Sequence, residues 1–173
     1  MMNEKIEKAF NDQINAELHS AYLYLSMAAD FDGKSLGGFA GWMRAQAQEE
    51  VIHAMKFYDF INDRGGKVKL QPIKEVPTEW KSPLEAFKAA YDHECYISGR
   101  INDLMKLARD ENDNPAINFL DWFVNEQVEE EATADEKVQE LKLVGDSGPG
   151  LFMMDREMGQ RVFTPPADGE EGA

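Results

Sequence analysis

Four long amphipathic segments of this chain each place a polar, metal-capable side chain in the middle of an otherwise apolar stripe. In the first, Phe10, Ile14, Ala21, Tyr24 and Ala28 recur at helical spacing and Glu17 interrupts them. The second carries Leu36, Phe39, Met43, Phe57 and Ile61, interrupted by Glu50 and His53. The third runs Leu84, Phe87, Tyr91, Ile101, Met105 and Ala108 around Glu94. The fourth runs Ala116, Leu120, Phe123, Ala134, Val138 and Leu141 around Gln127 and Glu130. Apolar residues at this period mark helices that bury one face. A carboxylate facing a core is costly unless it is protonated, paired or bound to a metal. A single glutamate in such a stripe is usually an ion pair or a misplaced boundary. Four interruptions at matching depth meet in one place if the helices bundle, and together they point to a metal site.

Local signals set the boundaries. The first helix is expected from Glu4 to Phe31, with Asp32-Gly33 in the turn. The second is expected from Ser35 to Arg64, stopped by Gly65-Gly66. Ser82-Pro83-Leu84-Glu85 combines an N-cap serine, a proline at N1 and a glutamate at N3, so it opens the third helix. Asn114-Pro115 opens the fourth by the same logic, and Gly145 closes it. A short fifth helix is expected from Leu151 to Met158. Residues 1–161 read as one domain and 162–173 as a flexible tail.

The connection from Gly65 to Ser82 decides the topology. Its roughly 18 residues exceed the usual two to eight between antiparallel helices. Extended, they reach about 59 Å, more than the ~44 Å length of a helix of ~29 residues. They can therefore cross the whole bundle and leave the second and third helices parallel. The expected fold is all-α: a four-helix bundle with one long crossover and a short C-terminal fifth helix, the ferritin-like arrangement among bundle topologies.

Composition narrows the function classes. A length of 173 residues suits one domain with a sizeable core. A net charge of −15 argues against nucleic acid and suits cations. The single cysteine, Cys95, excludes an intramolecular disulfide and fits a reducing compartment. Neither a signal-peptide pattern nor a membrane-length apolar run is legible, so the expected location is the cytoplasm.

Glu50-Val51-Ile52-His53 puts a carboxylate and an imidazole on one helix face, on adjacent turns. Di-iron carboxylate bundles draw a Glu from each of two helices and a Glu-x-x-His from each of the others. Glu17 and Glu94 supply the single glutamates, but the fourth helix has Gln127-Val128-Glu129-Glu130 where a second Glu-x-x-His belongs. An all-oxygen second position holds borderline metals less tightly than imidazole does, which favours iron as substrate over iron as permanent cofactor. Glu49, Glu126, Glu129 and Glu130 form a further acidic set, read as a third metal position or an exit path. Taken alone, the run from Glu126 to Glu131 also fits a solvated face. Tyr24, two turns after Glu17, fits either a core aromatic with a bonded hydroxyl or a redox participant, and Trp122 is a weaker neighbour. His19 and His93 fall off the stripes and are expected at the surface, and the methionines, Met153-Met154 included, are expected in the core or at helix contacts.

With these residues in place, the chain resembles the non-haem ferritins of bacteria and archaea. The resemblance lies in Asp12-Gln-Ile-Asn-Ala-Glu17, Ser20-Ala-Tyr-Leu-Tyr-Leu25, Gln48-Glu-Glu-Val-Ile-His-Ala-Met55 and Asn125-Glu-Gln-Val-Glu-Glu-Glu131. Arg64-Gly65-Gly66 and Glu79-Trp80 add to it, and Phe163-Thr-Pro-Pro-Ala167 is similar to an archaeal-type tail. The resemblance implies an iron-storage ferroxidase in which Glu17, Glu50 and His53 hold the first iron and Glu50 bridges. It places Glu94 and Glu130 on the second iron, Gln127 beside it, and Tyr24 next to the centre. Glu49, Glu126, Glu129 and Glu130 match the third site of the prokaryotic branch. It also implies that O2 or peroxide is the oxidant, and that the ferric product grows an oxyhydroxide mineral inside a homo-oligomeric cage of 24 subunits.

Two departures qualify that picture. Bacterioferritins bind haem through a methionine on the second helix, where this chain has Val51, so no haem is expected. Animal ferritins line their three-fold pores with acidic residues, and the matching positions here are Ile117 and Leu120. Two other readings compete. A rubrerythrin-like oxidase needs a Cys-x-x-Cys pair that one cysteine cannot supply, and a metal-free interaction protein leaves the buried carboxylates unexplained.

Overall fold

A computed structural model describes residues 2–164; of the expected tail, 165–173 lie outside them. Five helices follow in order: α1 (Glu4–Gly33), α2 (Gly37–Asp63), α3 (Pro83–Asp110), α4 (Asn114–Val144) and α5 (Gly148–Met158). No strand occurs among the described residues. The all-α architecture, the single long crossover and the fifth helix are all as the sequence predicts.

Short polar side chains start most of these helices by accepting a backbone N–H that the helix leaves unpaired. Asn3 accepts from Lys5 N, Ser82 from Glu85 N, and Ser147 from Gly150 N. On α4 the cap is Asp113, one residue before the expected Asn114, with Oδ1 3.1 Å from Ala116 N. Helix α2 begins at Gly37 rather than Ser35, because Ser35 takes a left-handed backbone (φ 59°) to make the tight turn. Its N-cap residue, Leu36, has no side chain able to cap. Asp155 of α5 fills that role, its Oδ1 accepting from Gly38 N at 2.9 Å and Phe39 N at 3.0 Å.

The crossover lies along α1, as its length predicts. Near its start, Asn11 bonds Lys67 O at 3.0 Å and Lys69 N at 2.6 Å; towards its end, Ser26 Oγ donates to Pro77 O at 2.6 Å. These anchors carry the chain from one end of α1 to the other, so α3 starts where α2 starts. At the far end the Arg64 guanidinium forms a two-pronged pair with Asp113 at 2.9 and 3.0 Å, tying the end of α2 to the start of α4.

Every stripe residue is buried except Leu36, Leu84 and Tyr91, which are half-buried against the core. Met154 and Met158 pack inward, while the neighbouring Met153 is 71% exposed. The apolar core comes in two pieces. One gathers Met27, Phe31, Phe39, Met43, Phe87 and the α5 methionines; the other gathers Phe10, Ile14, Phe57, Ile101, Leu120 and Phe123. Between them in sequence, on all four long helices, lie the buried polar residues Glu17, Ser20, Glu50, His53, Glu94, Gln127 and Glu130, with Gln13 and Gln46 at the borders. No helix of the described residues is long and apolar enough to cross a membrane.

Candidate metal centre

The polar layer assembles most of the side chains that the stripes single out. Glu17 is 1% exposed, Glu50 2%, Glu94 2% and His53 4%, each from a different helix except the α2 pair. Glu17, Glu50 and His53 each offer a ligand atom, and these atoms lie within 4.8 Å of one another. His53, Glu126 and Glu130 form a second such group. His53 stands between them, its Nδ1 3.4 Å from Glu50 Oε2 and its Nε2 3.8 Å from Glu126 Oε1. Its ring is wedged against Trp122 and Phe123, with centroids 5.5 and 6.0 Å away, which fixes its orientation.

Glu94, Glu49 and Glu129 belong to neither group. Glu94 lies in the same buried layer but accepts from the Tyr24 hydroxyl and, at 3.2 Å, from Gln127 Nε2. Gln127 also bonds Glu94 O and Ser98 Oγ, both at 3.3 Å. Glu49 is half-buried and paired with Arg161, and Glu129 is exposed.

Packing carboxylates into one dry layer resists their ionisation. Burial, then the charge of Glu50, pushes Glu17 up from 4.5 to about 8. Burial, then Glu94, pushes Glu130 up to about 7. Glu50 is held well above its ordinary range by burial and by Glu94 and Glu130. Burial likewise raises Glu94, and the Tyr24 hydroxyl and Gln127 amide pull it partly back. Burial and the same carboxylates also raise the Tyr24 phenol, so Tyr24 acts as a hydrogen-bond donor.

The donor set fits a pair of hard or borderline cations. Glu17 Oε2 and Gln46 Oε1 are buried with no hydrogen-bond partner, so two buried oxygens stay open to a proton or a cation. Four carboxylates, ionised together, match the charge of two divalent ions. His53 is the one imidazole among these carboxylates and belongs to both groups, a mixed oxygen and nitrogen set that suits a borderline divalent cation.

Several residues of the layer leave no mark on the apolar stripes. Gln13 and Gln46 each stand one turn before a buried glutamate and donate to it, at 2.7 Å to Glu17 and 3.4 Å to Glu50. Gln46 also reaches across to Glu130 at 2.7 Å. Arg100 on α3 holds Gln13 Oε1 at 2.9 Å. The signal for both glutamines is their i−4 spacing from a buried glutamate. His93 is half-buried rather than at the surface: its Nε2 lies 2.7 Å from Ser20 Oγ, and its ring meets Tyr24 edge-on at 6.0 Å. Burial, then the neighbouring His19 ring, lowers His93 to about 4. His19 is also half-buried, its ring 6.1 Å from that of His93.

Comparison with known proteins agrees with this geometry. Residues 7–144 match the family model of the ferritin-like domain. The chain is 45% identical to a bacterial non-heme ferritin of Bacteroides fragilis over 161 residues, 93% of this chain and 100% of that protein. It is 39% identical to one of Staphylococcus epidermidis over 163 residues, 94% and 98% of the two chains. Among solved structures, it is similar to an open-pore ferritin of the hyperthermophilic archaeon Archaeoglobus fulgidus, at 50% identity and TM-score 0.93 over 94% of this chain and 100% of that one. A form of the Archaeoglobus fulgidus ferritin engineered to be closed matches with TM-score 0.94 at 51% identity, over 95% and 100%. On its fold, its buried carboxylate layer and these relatives, the chain belongs to the ferritin family.

Proposed function

We propose that this chain stores iron and that the layer around Glu50 is a ferroxidase centre, oxidising Fe(II) on its way to the store. The observation that carries this reading is the Glu17–Glu50–His53 group: ligand atoms within 4.8 Å, fully buried, with a glutamate oxygen left unbonded. Glu17 and His53 take the first Fe(II), Glu94 and Glu130 the second, and Glu50 bridges. Gln127 hydrogen-bonds beside the second position, and Tyr24 orients Glu94.

Charge explains why the product moves on. Two Fe(II) are neutralised by Glu17, Glu50, Glu94 and Glu130. Each iron then gives up one electron, and the pair, with two protons released as water hydrolyses on the ferric product, reduces O2 to hydrogen peroxide or peroxide to water. The two Fe(III) carry two more positive charges than the carboxylates balance, so they bind oxide or hydroxide and leave for the acidic set of Glu49, Glu126, Glu129 and Glu130. That set is the third iron position. The ferric product grows as an oxyhydroxide mineral inside a homo-oligomeric cage, with 24 subunits as the expected number.

The centre works without haem, since Val51 stands where a haem-ligating methionine belongs in bacterioferritins, and purified protein should lack a haem absorption band. The cytoplasm is the proposed location. Stopped-flow oxidation tests the site: Glu50→Ala abolishes the fast phase, and a wild-type rate in that variant contradicts the assignment. Alanine at Glu126 or Glu129 leaves the first rapid phase intact, because those residues serve only the third position.

A further inference from the structure

We propose that Arg161 is a built-in counter-cation of the third iron position, so that Glu49 turns to iron only by releasing this arginine. The inference rests on the reading of Glu49 as a third-site ligand.

Arg161 is the third residue past the end of α5. Its Nη2 pairs with Glu49 Oε2, and its guanidinium lies over the ring of Trp42, 4.2 Å from the centroid. Trp42 is itself buried, so the guanidinium is clamped between a fixed aromatic face and a carboxylate. A guanidinium stays charged at every physiological pH, so this partner cannot leave by losing a proton.

The other members of the third position are free of such a partner or already gathered. Glu126 and Glu130 offer oxygens within 4.8 Å of each other and of His53. Glu49 is close enough that the charges of His53 and Glu126 act on its carboxyl, yet its oxygen is directed to Arg161. Among the described residues, Arg161 is paired with none of Glu17, Glu50, His53, Glu94 or Glu130, the side chains assigned to the first two irons. A third cation must compete with a tethered charge for Glu49, which places its binding after the first pair. The placement of Arg161 comes from α5, whose Asp155 is fixed to the start of α2. The short fifth helix therefore sets the order in which the positions fill.

Equilibrium binding of Fe(II) under argon, which needs no oxidation step, tests this on the assembled protein. Arg161→Gln should tighten the third equivalent roughly five- to ten-fold and leave the first two within about two-fold, the scale of removing one half-buried ion pair. Arg161→Lys keeps the charge and should stay near wild type, which a merely structural role for the arginine does not predict. In a Glu49→Gln background, Arg161→Gln should have no further effect. If Glu49→Gln weakens the third equivalent but Arg161→Gln leaves it unchanged, the counter-cation role is overturned and the third site stands. If Glu49→Gln leaves the third equivalent unchanged, the third-site reading falls and the inference falls with it.

Discussion

Gln13 stands one helical turn before Glu17 and donates Nε2 to Glu17 Oε1 at 2.7 Å, while Glu17 Oε2 is buried without a partner. One oxygen is thus positioned by the protein and the other is left for a ligand. Arg100 holds the far end of Gln13, so the aim of Glu17 is set from α3 as well as from its own helix. This division of labour makes the site costly to fold and ready to bind.

Glu17→Gln should separate those two properties. A glutamine still accepts from Gln13 but carries no charge. Glu17 is raised from 4.5 to about 8, so its contribution to stability is complete below pH 4.5 and lost as pH rises through about 8. The metal-free variant should match wild type near pH 4 and exceed it by several kcal/mol, about 3–5, near pH 9, while failing to bind the first iron. Thermal melts of metal-free protein at the two pH values check this, and a variant less stable than wild type near pH 9 contradicts it.

Metal binding should release protons. Near pH 6 Glu17 and Glu130, raised to about 8 and about 7, are protonated in the metal-free protein, and a cation must displace those protons. Affinity for Fe(II) or Zn(II) should climb between about pH 6 and 8 and flatten above. Calorimetric titration in two buffers of different ionisation enthalpy measures the release, and none at pH 6 contradicts the burial argument.

Tyr24→Phe removes a donor that partly offsets the burial of Glu94. The Glu94 carboxyl should move further up, and the pH profile of fast oxidation should shift towards higher pH. The loss should be several-fold and larger near pH 6 than near pH 8, because a carboxyl raised further is harder to ionise. A uniform loss at both pH values would assign Tyr24 to the electron-transfer step instead.

Gly38 is required by α5. A Cβ there would lie 1.6 Å from Asp155 O, a backbone atom that can yield only if the helix moves. Gly38→Ala should cost about 2–3 kcal/mol as an overpacked contact, and Asp155→Ala about 1 kcal/mol as a lost cap. Thermal denaturation of both variants checks the order, and a neutral Gly38→Ala contradicts the docking of α5 on α2.

Much of this molecule is legible in its residues because burial leaves a periodic trace. Glu17, Glu50, His53, Glu94 and Gln127 break apolar stripes, so residue spacing by itself gives both their helices and their depth. The crossover is legible from length alone. What escapes the sequence is carried by contacts between distant elements. Leu36 shows no cap because its cap, Asp155, lies on α5. His93 looks exposed from its own helix, but Ser20 and Tyr24 of α1 cover it. Glu49 reads as one more acid beside Glu50, and only the return of the chain after α5 brings Arg161 to it. Asp113 rather than Asn114 caps α4 because its carboxylate also answers Arg64 from the end of α2.

Aerobic Fe(II) titration, counting iron that stays soluble and bound to protein, tests the storage claim most directly. A mineral store should retain iron far beyond the ~3 per chain that the ligand set can hold. Saturation at about two or three per chain would mean a di-iron protein that binds its metal and stores none.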